Sequence, residues 1–145
     1  MALNREAIYG AIYTRLAALT ASGFITVSRR LMHVNDVGPS LQPALFMAQT
    51  AQSASYDTGR TTMWTLGVDI YVYAKTPPTS GSPGPTLNPL LDAIELAFKP
   101  DNANVNACTL GGLVQYVRLG AIETDEGTLG DQSIAIIPLE ILAIA

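Results

Sequence analysis

Trp64-Thr65-Leu66-Gly67-Val68-Asp69-Ile70-Tyr71-Val72-Tyr73-Ala74 is the stretch around which the rest of the chain can be organised. Trp64, Leu66, Val68, Ile70, Val72 and Ala74 recur at a period of two, with no polar interruption. Thr65, Gly67, Asp69, Tyr71 and Tyr73 alternate with them. That pattern predicts a strand with one dry face and one mixed face. Upstream, Ala44 to Thr50 reads as a short apolar strand, and a polar stretch ending in Tyr56, Asp57, Thr58, Gly59 and Arg60 follows it. Together the two strands read as a long hairpin.

Residues 4 to 22 predict an amphipathic helix, with Ile8, Ile12, Leu16 and Leu19 inward, Asn4 as its N-cap and Gly23 at its C-terminal turn. Gly10 inside it is expected where a neighbour packs closely. A short strand is expected from Phe24 to about Arg30, and residues 31 to 43, with Asn35, Asp36, Gly38, Pro39 and Pro43, read as an irregular connection. Residues 76–86 hold four prolines, two glycines and no charged or large apolar side chain, which predicts a mobile surface loop. Asn88 is then expected to cap a second helix with Pro89 at its first position and Leu90, Leu91, Ile94 and Phe98 as its stripe. Two strands close the chain, Leu113 to Thr124 and about Gln132 to Ile144, with Asp125 to Gly130 as the turn between them. The last strand is apolar on both faces, so helices on one side and a partner subunit on the other are expected to cover it. Pro138 within it argues for an edge position or a bulge. The order α-β-β-β-α-β-β implies an α+β fold: a mixed, mainly antiparallel sheet with helices packed on it.

The chain has 145 residues, and 1–145 is expected to be one domain. Charged residues make up only 14% of it, against about 25% in an average soluble domain, so much of its surface is neutral or apolar and suited to assembly. A net charge of −4 argues against broad attraction to nucleic acid. No apolar run approaches the ~20 residues of a spanning helix, and the N-terminal residues alternate instead of forming a leader, so neither membrane insertion nor export is expected. The single cysteine, Cys108, fits a reducing compartment.

Catalytic candidates are few. The one histidine, His33, stands in a loop without a serine or aspartate partner, and Cys108 has no neighbouring cation to lower its pKa. Asn102, Asn104 and Asn106 imitate alternate calcium ligands, yet Ala107 and Leu113 stand where glycine and glutamate are required. No glycine loop of the phosphate-binding type is present. Arg29 and Arg30 read as a solvated strand end. Glu123, Asp125, Glu126 and Asp131 form the densest charge, suited to a solvated tip, a cation or an interface. No enzyme activity, cofactor or resident metal is expected.

Four segments in order resemble the tail terminator proteins of long-tailed bacteriophages, also called minor tail or tail completion proteins. They are the helix opening Leu3-Asn4-Arg5; the Trp64–Ala74 strand; Leu87-Asn88-Pro89-Leu90-Leu91-Asp92-Ala93-Ile94-Glu95 after the proline-rich loop; and Leu110-Gly111-Gly112-Leu113-Val114 with Ile122-Glu123-Thr124-Asp125-Glu126-Gly127 and Ile137-Pro138-Leu139. The resemblance implies a structural virion protein, made in the bacterial host cytoplasm. It would form a six-membered ring on the head-proximal end of the tail tube, stop tube growth and meet the head–tail connector protein, while DNA passes through without specific binding. The candidate contacts with other subunits and the tube protein are Glu123, Asp125, Glu126 and Asp131, with Thr79, Ser80 and Ser82 of the loop. Two alternatives stand beside this reading: a head-completion or connector protein of the same particle, and a metal- or ligand-binding α+β domain.

Overall fold

In the computed structural model, residues 3–77 and 81–145 are described, with the side chains of residues 128 and 129 excepted. Helix α1, Arg5–Ala17, starts where the Asn4 side chain accepts a hydrogen bond from the Ala7 amide at 3.1 Å. It tightens into a 3-10 turn, Ala18–Ser22, which Gly23 ends at a left-handed φ of 112°. Ile8, Ile12, Leu16 and Leu19 are buried, as their spacing predicts. Gly10 is the exception. A Cβ placed there would meet nothing nearer than a Glu6 carboxylate oxygen at 3.8 Å, so no close neighbour requires this glycine.

The sheet comprises β1 (Thr26–Ser28), β2 (Ala44–Ser55), β3 (Met63–Lys75), β4 (Tyr116–Leu119), β5 (Glu123–Leu129) and β6 (Gln132–Ile144). Its order is β1-β2-β3-β6-β4, and β5 pairs with β6 on the same side as β4. β1 runs parallel to β2 and every other pairing is antiparallel. The expected α+β fold with a mixed, mainly antiparallel sheet is therefore present. Leu66, Val68, Ile70 and Val72 of β3 and Ala135, Ile137 and Ile141 of β6 are fully buried against Ile12 and Leu16 of α1 and Ile94 of α2 (Gly84–Ala97). Each large side chain so buried contributes about 1.5–3 kcal/mol, which makes this face the principal source of stability.

Four expectations are corrected. The β2 strand does not stop at Thr50: it runs on to Ser55 through a bulge between Gln49 and Gln52. Gly67 of β3 makes room for that bulge, since a Cβ there would lie 2.2 Å from Thr50 Oγ1 and 3.1 Å from the Ala51 carbonyl oxygen. Helix α2 begins at Gly84, a turn before Asn88, because Pro85 occupies its first turn, where a missing N–H costs no bond. The Thr86 and Leu87 amides then both donate to the Pro83 carbonyl at 3.0 Å, and Pro89 lies inside the helix on its exposed side. The strand expected over Leu113 to Thr124 is two strands, so the sheet has six. Finally, β6 is not an edge strand. Its Pro138 carbonyl accepts from the Gly120 amide at 2.8 Å, so the proline's bare nitrogen faces the same side, in the gap between β4 and β5. The partner strand breaks at the one place where β6 has no N–H to offer.

On the helix-free side, residues 31–43 fold over one end of the sheet. Val37, Ala44, Phe46 and Tyr73 form a second apolar cluster there, and the Tyr73 hydroxyl donates to the Met32 carbonyl at 2.8 Å. Beside it the Gln42 and Gln132 amides exchange reciprocal hydrogen bonds of 3.0 Å. On the helix side, Asp101 organises the asparagine-rich loop. It accepts from the Thr109 amide and hydroxyl, both at 2.8 Å, and from the Gly111 amide at 3.1 Å. Arg15 lies 3.7 Å from the same carboxylate and donates to the Ala97 carbonyl at 3.0 Å, tying α1 to the end of α2. The Gly111 and Thr109 amides hold the Asp101 carboxyl below its usual range, with the Thr109 hydroxyl and Arg15 adding to them.

Two predictions follow from this packing. Gly10→Ala should stabilise the fold by about 0.5–1 kcal/mol, whereas Gly67→Ala should destabilise it by roughly 1–3 kcal/mol, both read from urea midpoints at constant m-value. Because the Asp101 pKa is depressed on folding, its contribution is complete above the unfolded carboxyl value and disappears as pH falls through the folded one. Asp101→Asn should therefore destabilise the protein at neutral pH and make its stability less sensitive to acid below about pH 4, measured by denaturation across that range.

Candidate assembly interface

The acidic segment is a strand rather than a turn. Residues Glu123–Leu129 pair with β6, Glu123 opposite Ile136 and Asp125 opposite Ile134, and a register shift follows Asp125. Gly127 supplies a left-handed φ of 122° within that irregularity, and the chain reverses at Gly130 and Asp131. The glycines that suggest one long turn thus serve a bulge and a tight reversal. Glu123, Glu126 and Asp131 are exposed and Asp125 is half-buried.

The structure brings the two predicted contact elements to one corner. The Ser82 hydroxyl donates to Glu126 Oε2 at 3.4 Å, and Glu126 Oε1 lies 3.4 Å from the Cβ position of Gly84, the first residue of α2. A carboxylate at that end of a helix faces the positive end of the helix dipole. At the other end of the same loop, the Thr76 amide donates to the Asp131 carbonyl at 2.8 Å. Thr79 and Ser80, the remaining candidates, lie outside the described residues.

The opposite edge has the opposite character. Among the described residues, β2 has no strand on its outer side beyond its short pairing with β1, which spans Ala44 to Phe46. Gln49 to Ser55 are exposed except for Ala54, and no residue of β2 is charged. Four of the chain's eight cations flank this edge: Arg5, Arg29, Arg30 and Arg60. Arg5 Nε donates to Gln52 Oε1 at 2.7 Å, with its guanidinium 4.4 Å from the Trp64 ring centroid. Arg29 pairs with Glu6, holding that carboxyl below its usual range. Arg30 and Arg60 are exposed. Sequence alone hides this grouping, because only the sheet order brings the ends of β1 and of the β2–β3 hairpin to one side.

The helix-free face between these edges carries Tyr71, Ile134, Ile136, Pro138 and Leu142, all half-buried, and Ile144 and Met63 at its end. Tyr116 closes the β4 side, its hydroxyl donating to Glu140 Oε1 at 2.7 Å and its ring beneath Arg118. The Glu140 carboxylate raises the Tyr116 pKa. An open groove of about 830 Å³ lies between α2 and β4, walled by Leu96, Phe98, Leu119 and Ile122 with Asp92 and Lys99. His33 Nδ1 accepts from the Asn35 amide at 3.1 Å and so caps a short turn, and Cys108 is buried in the main core. Among the described residues no three His, Cys, Asp or Glu side chains come together as metal ligands. No helix among them is long and apolar enough to cross a membrane.

No protein-family model matches the chain, and no curated protein does so either. Among solved structures the fold is shared with a chain of the "Virion of native gene transfer agent (GTA) particle". The identity is 12% and the TM-score 0.59, over 94% of this chain and 93% of that one. Nearly complete coverage of both chains means that the whole α+β arrangement is common to them.

Proposed function

We propose that the chain is a structural virion protein and, more specifically, a tail terminator. In this reading it forms a ring on the head-proximal end of the tail tube, halts tube growth and presents a surface for head joining. The observation that carries the proposal is the end-to-end likeness of fold to a chain of a gene transfer agent virion. The surface supports it. A small sheet has helices on one face and half-buried apolar residues on the other, and among the described residues no further strand lies beyond the Gln49–Ser55 part of β2 or beyond β5. Such a surface suits a subunit that is covered in an assembly. The ordered resemblance to tail terminators in the segments around Leu3, Trp64, Leu87 and Leu110 narrows the role from virion component to tube cap. The net charge of −4 suits a ring through which DNA slides without sticking.

The test is negative-stain electron microscopy of tails from a phage lysate made without this protein. Tubes of abnormal, uncontrolled length are the expected result. Tails of normal length would overturn the capping role, and normal tails lying unattached beside filled heads would move the protein to the connector. Complementing the same lysate with Asp125→Lys and Glu126→Lys should leave tail capping impaired, although the purified double variant keeps wild-type circular dichroism.

A further inference from the structure

We infer that the two open edges of the sheet are the two halves of one head-to-tail contact between copies of this chain, the Gln49–Ser55 edge of β2 in one copy lying along β5 of the next. The inference deepens the ring reading above and rests on it.

Both stretches are seven residues long, and both present a row of backbone N–H and C=O groups that no other strand among the described residues takes up. Natural edge strands usually carry lysine, proline or inward charge as protection against pairing. The outer side of β2 carries no charged residue and no proline, and only the bulge between Gln49 and Gln52 interrupts it. An edge left this open in a long strand is a template for a further strand.

Charge decides which strand. Arg5, Arg30 and Arg60 stand around the β2 edge against one carboxylate, Asp57, in the same turn as Arg60, while Glu123, Asp125, Glu126 and Asp131 line β5 and its turn. A symmetric β5–β5 contact would press carboxylates against carboxylates, and a symmetric β2–β2 contact would bring the arginines together. Like charges facing each other are strongly disfavoured at an interface, so the complementary pairing is the head-to-tail one. Head-to-tail contacts generate rings when the rotation closes.

Sedimentation velocity on the purified full chain tests the contact. For the wild type, mass should rise with concentration at low ionic strength and fall back as salt screens the edges. Arg30→Glu with Arg60→Glu makes both edges acidic, and Glu123→Lys with Glu126→Lys replaces two of the four β5-edge carboxylates with cations. Each variant alone should associate at least about tenfold more weakly than wild type. A 1:1 mixture of the two should recover association, because alternating copies then join an unaltered basic edge to an unaltered acidic one at every second junction, and at the others the acidic β2 edge meets a β5 edge that has lost its net negative charge.

A wild type that stays monomeric throughout would overturn the inference. So would a variant that associates like wild type, or a mixture no better than its components. If either double variant fails to fold by circular dichroism, the single variants Arg60→Glu and Glu123→Lys are mixed in its place and read by the same criteria. Failure of this contact with overgrown tails in the lysate assay would leave tube capping standing and discard only the edge. Tails of normal length alongside successful charge complementation would do the reverse.

Discussion

Everything in the molecule hangs on the register between β3 and β6, two strands of thirteen residues paired without a break from Met63–Ile144 to Lys75–Gln132. With a side-chain period of two, that single register decides which residues of the two strands share a face, and a slip of β6 by one would turn Ile137 out of the core while Ile70 stayed in it. Because Leu66, Val68, Ile70 and Val72 stand level with Ile141, Leu139, Ile137 and Ala135, one continuous apolar floor forms on which α1 and α2 settle. The other strands are added to the flanks of this pair, and their lengths reflect what the central ladder leaves available.

Pro138 shows how one residue in that ladder shapes a distant edge. On the β3 side the proline costs nothing, since its nitrogen points away. On the far side it removes a donor, Gly120 closes over the ring with no room for a side chain, and the neighbouring strand resumes only at Glu123. The carboxylates of β5 thereby stand on a separate short strand instead of continuing β4. A proline in the middle of an interior strand has created an acidic edge segment.

The parts of the fold legible in the sequence are those dictated by local periodicity: α1, β3, β6 and the inward stripe of α2. The parts that were not legible depend on partners distant in the chain. The end of β2 is polar and reads as a connection, yet pairing with the first half of β3 holds it extended, with Gly67 admitting its bulge. The start of α2 was obscured because three prolines, Pro83, Pro85 and Pro89, compete for the first turn, and only tertiary burial of Leu87 selects among them. The acidic residues were visible as a cluster, and their neighbourhood with Ser82 follows from α2 beginning early. Asp101 carries no local signal because its role lies in amides eight and ten residues further on. The basic edge carries no local signal for a similar reason: its members come from three separate segments.

The short reach of β1 has a geometric consequence. It covers only the first residues of β2, while β5 lies along the first half of β6, so the two open edges sit at diagonally opposite corners of the sheet. Traced through β3 and β6, their midpoints are offset by roughly seven residues along the strand direction, about 24 Å at ~3.4 Å per residue. Subunits joined through these edges are therefore staggered. In a closed ring such a stagger appears as an inclination of every strand to the ring axis, the same relation of shear to tilt that governs a β-barrel. The pitch of the assembled wall would be written into the monomer by how early β1 ends.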